Sequence, residues 1–390
     1  MKSLYFSILF IIIASTLSAQ RLNIAVFYNY RISSVVMNVY MGSYNVYEDT
    51  VLLMTLVQND IMLLTAKNDS VEVKKSDGKI LRFKKIIFEG ISEVNVLKFK
   101  PTVPSMQQRY YDDDMQIKTK NGCLCFNNLV RLENYICGVV ESESGYQASE
   151  EFYKTQAILC RTFTLENLGK HYAEQFNLCD GVHCQAYKGK NYSLSYHAVI
   201  AKAVNDTRDL VMVDTSGSVI DAPFHANCGG QTMNAEDVWG SYKYYLRSVN
   251  DSFCKYQRNI YWKKKISMVE WKNFLTSNNI DFPLANDTAF NFVQPNRKSF
   301  YNIEKDSISL RKIREYFNLK STFFNLKTEG DSLLISGKGF GHGVGLCQDG
   351  AMQMAKRGYS YSNIIAHYYK GVKIVSYKSI PFYQSILSDD

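Results

Sequence analysis

Between Ser149 and Gly169 runs EEFYKTQAILCRTFTLENL, the segment that most restricts how this 390-residue chain can fold. Ser149 suits an N-cap, Glu150 and Glu151 place carboxylates in the first turn where the helix dipole favours them, and Gly169 supplies a stop. The spacing therefore predicts one helix. At about 100° per residue, Phe152, Leu159 and Phe163 form an apolar stripe, while Ile158 and Leu165 lie on the opposite side with Lys154 and Arg161. A helix apolar on two sides must be sandwiched between other elements. Its two cations then share a face that is not wholly solvent, where they either snorkel to water along their stems or serve a site. The turn before this helix, after the apolar run YICGVV, carries Glu141 and Glu143.

The rest of the chain supports a large α+β fold. Residues 1–19 read as a cleavable export leader: Lys2, an apolar run and small residues before Gln20, too short to favour a membrane span. A chain of this length with 46% hydrophobic and 14% aromatic residues can bury a substantial core. Residues 20–105 alternate β-rich runs (LNIAVFY, SVVMNVYMG, TVLLMTLV, DIMLLTA, SVEVKK, ILRFKKIIF, VNVLKF) with turn signals, which predicts an antiparallel β-rich lobe. A second region is expected over 106–378, with a tail at 379–390. Within it, 267–279 and 307–318 read as helices and the stretch around Glu329-Gly330 as a β-hairpin. A net charge of +8 spread over this length, with one short basic cluster at Lys263 to Lys265, suits an anionic cell envelope. Export and the lack of a binding module argue against nucleic acid.

Two clusters carry chemistry. His171, Cys179, His183 and Cys184 bring two imidazoles and two thiols within fourteen residues, the donor set that Zn²⁺ binds tetrahedrally. Four protein ligands leave no open position, so such a zinc is structural. A Cys179–Cys184 disulfide is the alternative that export favours. Cysteines 123, 125, 137, 160, 228, 254 and 347 remain, an odd number, with Cys228–Cys254 a conceivable bridge. The stretch GKGFGHGVGLCQDGAMQMAKRG has neither the βαβ setting nor the accompanying nucleotide motif that a phosphate-binding loop requires. Its glycines instead allow backbone to approach a ligand and leave His342 uncrowded, with Gln348 entering the next helix. His225 beside Gly229-Gly230 has two readings, a substrate contact or a core histidine, and Trp239 and Tyr245 are either packing or a sugar platform. No nucleophile-elbow signature accompanies His225, His342 or Cys347 to make a Ser/His/Asp or Cys/His hydrolase.

GVVESES followed by KTQAILCRTF resembles the stage II sporulation protein D family (the SpoIID/LytB domain), in which a GVV-x-S-E segment leads into a K-A-Q-A-x-x-x-R-T-Y/F helix. The resemblance extends over about 90–375 and includes Cys184, Gln185, Tyr187 and Gly189, the F/Y-H-x-x-x-G-G-x-T run at His225, and Gly339, Gly341, His342, Gly343, Val344, Gly345, Gln348, Gly350 and Ala351 of the glycine stretch. It departs at Leu346, Cys347 and Asp349, where Met, Ser and Trp are usual, and at Ser144-Gly145, where Met-Pro is usual. The resemblance implies a secreted peptidoglycan lytic transglycosylase acting on glycan strands. Glu143 would be its general acid and base, the Cys/His set would hold a structural zinc, and Lys154, Gln156, Arg161, His225, His342 and Gln348 would contact substrate. Glu141 is the local rival for the acid. A non-catalytic wall-binding enhancer of a partner amidase is the alternative that the same resemblance allows.

Overall fold

The computed structural model describes residues 21–145, 148–192, 195–256, 260–282 and 290–386; the expected leader at 1–19 lies outside them. The architecture is α+β, β-rich at the N-terminus and mixed around a central helix. Each β-rich run of the N-terminal region becomes one or two strands. They form a seven-stranded and a six-stranded sheet, the latter in the order Arg109–Asp112, Val96–Val103, Ser34–Met41, Ile61–Lys67, Ser70–Lys75, Ile80–Phe83. Alternation does the sorting: in Ser34–Met41, Val35, Met37 and Val39 are buried while their neighbours are half-exposed. In the seven-stranded sheet, Leu22–Val26 pairs with Cys123–Val130 on one side and with Leu178–Cys179 on the other. The sheets thus continue across residue 105, and the β lobe and the region after it share one core.

The acidic turn expected at Glu141 and Glu143 is the last turn of a helix, α1 (Leu132–Ser144), closed by Gly145 at φ 55° with its N–H on the Glu141 carbonyl. The apolar run before it belongs to the same helix. Leu132, Tyr135, Ile136, Val139 and Val140 recur with the helical period, and all but Leu132 are buried. Only the local pair of valines looks like a strand. On a helix, residues two apart diverge by about 200°, so Glu141 and Glu143 face different surroundings.

The central helix, α2 (Glu150–Glu166), stops three residues short of Gly169, where the Asn167 side chain bonds the Phe163 carbonyl at 2.9 Å. Ser149 has N-cap backbone angles without a side-chain cap bond. Twelve of the seventeen residues are buried. The predicted sandwich is realised: α2 packs against α1, α3 (His197–Asp206), the strand Leu210–Val213 and the helices Gln348–Lys356 and Tyr361–Tyr368. Arg161 is fully enclosed; its Nε and Nη2 reach the two Glu133 oxygens at 3.0 and 2.6 Å, and Nη1 donates to the Leu210 carbonyl at 3.0 Å. Lys154 stays near the surface, with Glu150, Glu151 and Asp206 at 2.8, 3.1 and 3.5 Å.

Residues 260–338 build a second core around Trp271, which packs on Phe274, Tyr301 and Phe317. Its elements are a sheet of Tyr261–Ser267, Ser332–Lys338 and Phe324–Glu329 with helices Met268–Ser277 and Leu310–Tyr316. The expected helices and the hairpin at Glu329-Gly330 are present, although the second helix begins only after the strand Asp306–Ser309.

Removing one partner of an enclosed, doubly bonded ion pair leaves the other charge buried. We expect Arg161→Ala to lower the unfolding free energy by about 3–5 kcal/mol, and Lys154→Ala, in a solvated cluster, by about 1 kcal/mol or less. Urea unfolding of the two variants checks the ranking.

Candidate functional site

Glu143 sits in the last turn of α1, where three segments distant in sequence meet. Its Oε1 accepts the Ala186 N–H at 2.6 Å, and its backbone carbonyl accepts the Gln348 side chain at 3.3 Å. Burial raises the Glu143 carboxyl above the ordinary glutamate range, while the Ala186 amide and the charge of Lys188 pull it partly back. The side chain is half-buried, so it is screened yet reachable.

Residues 184–191 supply that amide because they are tied down at each step. Gln185 donates to the Thr164 hydroxyl at 3.0 Å, Tyr187 OH to Asn128 at 2.8 Å, and the Lys188 N–H to the Ser142 hydroxyl at 2.9 Å. Gly189 (φ 74°) passes so close to the neighbouring strand that a Cβ would fall 1.8 Å from the Tyr110 carbonyl. Glu141 meets the far end of the same segment, accepting the Asn191 N–H at 2.6 Å and pairing with His197 Nδ1. It lines a cleft of about 700 Å³ with Tyr30, Gln108, Arg109, Lys188 and Lys190.

The glycine loop is held by its own His342 and by His225 from a distant strand. His342 Nδ1 accepts the Val344 N–H at 3.0 Å and its Nε2 donates to the Phe224 carbonyl at 2.9 Å. The tautomer is thereby set and both nitrogens are occupied by backbone. His225 Nδ1 donates to the Val344 carbonyl at 3.1 Å, and its buried Nε2 meets no hydrogen-bond partner among the described residues. The two rings lie edge to face at 5.4 Å, and Trp239, 44% exposed, lies 5.1 Å from His342. Tyr245 is buried, a packing position. Gly345 (φ 69°) lies so near the Pro223 carbonyl that a Cβ would sit 2.1 Å from the oxygen.

Of the residues nominated from the sequence, the structure therefore brings Glu143 and Gln348 into contact and sets His225 against His342. It does not bring Lys154 or Arg161 to them: one is engaged by three carboxylates and the other enclosed by Glu133 and backbone carbonyls. Gln156 is buried, with Nε2 3.5 Å from Cys160 Sγ and Oε1 without a hydrogen-bond partner among the described residues. Ala186, Asn191 and His197 were not nominated. An amide donor leaves no signature in side-chain types, and His197 gains meaning only beside Glu141.

The Cys/His set does converge: one donor atom from each of His171, Cys179, His183 and Cys184 lies within 4.8 Å of the others. Cys184 Sγ is 3.3 Å from His171 Nε2 and 3.8 Å from His183 Nδ1, and Cys179 Sγ is 4.0 Å from His183 Nδ1. Zinc–sulfur and zinc–nitrogen bonds of about 2.3 and 2.0 Å in a tetrahedron require donors about 3.3–3.8 Å apart. The other nitrogen of His171 meets the Glu174 carboxylate, the outer partner that orients a metal-binding imidazole. The residues fit a four-coordinate zinc.

Comparison with known proteins is consistent with this assembly. The family model described as stage II sporulation protein (SpoIID) matches residues 120–213, which run from the strand before α1 through the Cys/His set to the strand after α3. Stage II sporulation protein D of Bacillus subtilis is 30% identical over 257 residues, covering 63% of this chain and 74% of that protein. The chain belongs to the stage II sporulation protein D family. Another relative, an uncharacterized protein of Brachyspira hyodysenteriae, is 31% identical over 288 residues, covering 70% of this chain and 73% of its own. An amidase enhancer of Bacillus subtilis is 26% identical over 297 residues, covering 62% of this chain and 40% of that protein. In this family member no helix of the described residues is long and apolar enough to cross a membrane.

Burial lowers the His342 pKa from 6.5 to about 4, and that of His225 well below 6.5. The unfolded chain therefore takes up protons first. Stability contributed by neutral His342 is fully present above the unfolded value, falls as pH drops through it, and levels off below about 4. In denaturant titrations across this range, we expect His342→Gln to show a shallower loss of stability on acidification than the parent protein.

Proposed function

We propose that this family member is an exported lytic transglycosylase of peptidoglycan glycan strands, with Glu143 as its single acid and base. The observation that carries this reading is a half-buried carboxyl whose pKa burial raises, held by one amide and reachable from solvent. Protonated Glu143 would donate to the glycosidic oxygen as the bond to the anomeric carbon of N-acetylmuramic acid breaks. The resulting carboxylate would take the proton of the 6-hydroxyl, whose oxygen closes onto that carbon as a 1,6-anhydro ring and restores the acid. Hydrolysis with two flanking acids would need a second carboxylate across the sugar. Glu141 diverges around α1 and is engaged by Asn191 and His197, which supports the one-carboxylate route.

A zinc held by His171, Cys179, His183 and Cys184 would be a cross-link. It would anchor the chain two residues before the amide that orients Glu143. Gln348 positions the end of α1 from the other side, and Trp239 offers an exposed ring on which a sugar can stack.

A second reading rests on the cleft being lined by Glu141 and not by Glu143. A surface that binds strands away from the acid suits a wall-binding enhancer of an amidase, and one Bacillus subtilis relative is named an amidase enhancer.

Mass spectrometry of glycan strands, with and without stem peptides, separates the readings. We expect anhydro-muramic ends from the intact protein and from Glu141→Gln, and their loss in Glu143→Gln. Because a half-buried carboxylate is replaced by a neutral amide, Glu143→Gln should be at least as stable as the parent at neutral pH. No cleavage of either substrate by the intact protein would leave the enhancer reading.

A further inference from the structure

A second set of metal-binding side chains, three thiols and a carboxylate, lies beneath the glycine loop. Cys228, Asp251, Cys254 and Cys347 are all buried, and one donor atom from each lies within 4.8 Å of every other. Cys228 Sγ is 3.2 Å from Cys254 Sγ and 3.3 Å from Asp251 Oδ2. These spacings are close to the donor separations of a tetrahedral zinc, about 3.3–3.8 Å. We propose that Cys228, Asp251, Cys254 and Cys347 form a second metal site, closed and structural, that takes a thiophilic divalent cation of the zinc type.

The surroundings favour thiolates. Cys347 Sγ accepts the Cys228 and Gly350 N–H groups at 3.2 and 3.4 Å, and the Arg297 guanidinium donates to the Cys228 carbonyl at 2.6 Å. Three thiolates and a carboxylate around a divalent cation leave net negative charge, and these amides and the Arg297 cation are placed to offset it. Asp251 is oriented by Tyr368 OH on Oδ2 at 2.9 Å and by the Phe253 N–H on Oδ1 at 2.9 Å, the outer bonding that a ligating carboxylate requires. A Cys228–Cys254 disulfide would engage only two of the four groups. It would leave the Cys347 thiol and the Asp251 carboxylate converging on nothing. Sulfur-rich sets select zinc over hard cations, and four protein donors leave no open position.

The consequence is mechanical. The ligands come from the turn after His225, the turn at Asp251 to Cys254, and the residue before Gln348, so one ion would join three segments around the glycine loop. The site is independent of the Cys/His set and of the proposed reaction.

Metal content per chain tests it, measured by native mass spectrometry and elemental analysis on the full mature chain purified under reducing conditions. We expect two zinc ions in the parent. One should persist in His171→Ala/Cys184→Ser, and one should be lost in Cys347→Ser and in Cys254→Ser. Should the Cys347 and Cys254 variants fold poorly, the double variant still decides: cobalt exchange should give sulfur-to-metal charge transfer in the parent that retains a component in His171→Ala/Cys184→Ser. A parent whose metal disappears entirely with that double variant overturns the proposal. So does a peptide map of protein purified without reductant that joins Cys228 to Cys254.

Discussion

A charge that cannot reach water organises the centre of this protein. Arg161 lies on the inner side of α2, and its guanidinium is closed by the two oxygens of Glu133 on α1 and by carbonyls at Val204 and Leu210. An ion pair so enclosed is tolerable only while every donor is satisfied. α1, the end of α3 and the strand after it are therefore held in one arrangement about α2. The position of Glu143 at the last turn of α1 comes from that arrangement, as does the reach of residues 184–191 along it.

The same segment couples the Cys/His set to the acid. Cys184 ends the Cys/His cluster, and Ala186 gives its amide to Glu143. Between them, Gln185 is bonded to α2 through Thr164. A small displacement at the Cys/His set would move the donor on which the carboxylate rests, so a metal held there would bear directly on the proposed acid. Opposite, Gln348 holds the main chain of Glu143, and its own position depends on the glycine loop, pinned by His342 and Val344. The site is thus clamped from two sides by segments whose contacts are largely backbone.

Sequence patterns revealed much of this organisation. The β-rich runs became strands because alternation of buried and exposed residues is a local property. The two-sided apolar pattern of α2 marked it as central, and the convergence of His171, Cys179, His183 and Cys184 was readable because all four side chains lie in one short stretch. Glu143 emerged through its resemblance to a family to which the chain proves to belong. By contrast, Lys154 and Arg161 looked alike on a helical wheel, seven residues apart, and only their neighbours distinguish a solvated ion cluster from an enclosed fork.

The features that the sequence determined by itself are those that depend on near neighbours: the strands, the central helix, the glycines that permit left-handed turns, and the Cys/His cluster at 171–184. Tertiary structure decided the features that depend on separation in the chain. It made a helix of the run before Glu143, because the apolar residues from Leu132 to Val140 find a shared surface, and so sent Glu141 and Glu143 to different partners. It also gathered Cys228, Asp251, Cys254 and Cys347, whose first and last members are 119 residues apart, into one buried pocket. Contacts of that range arise only when the core closes, because burial, not sequence spacing, brings their donor atoms together.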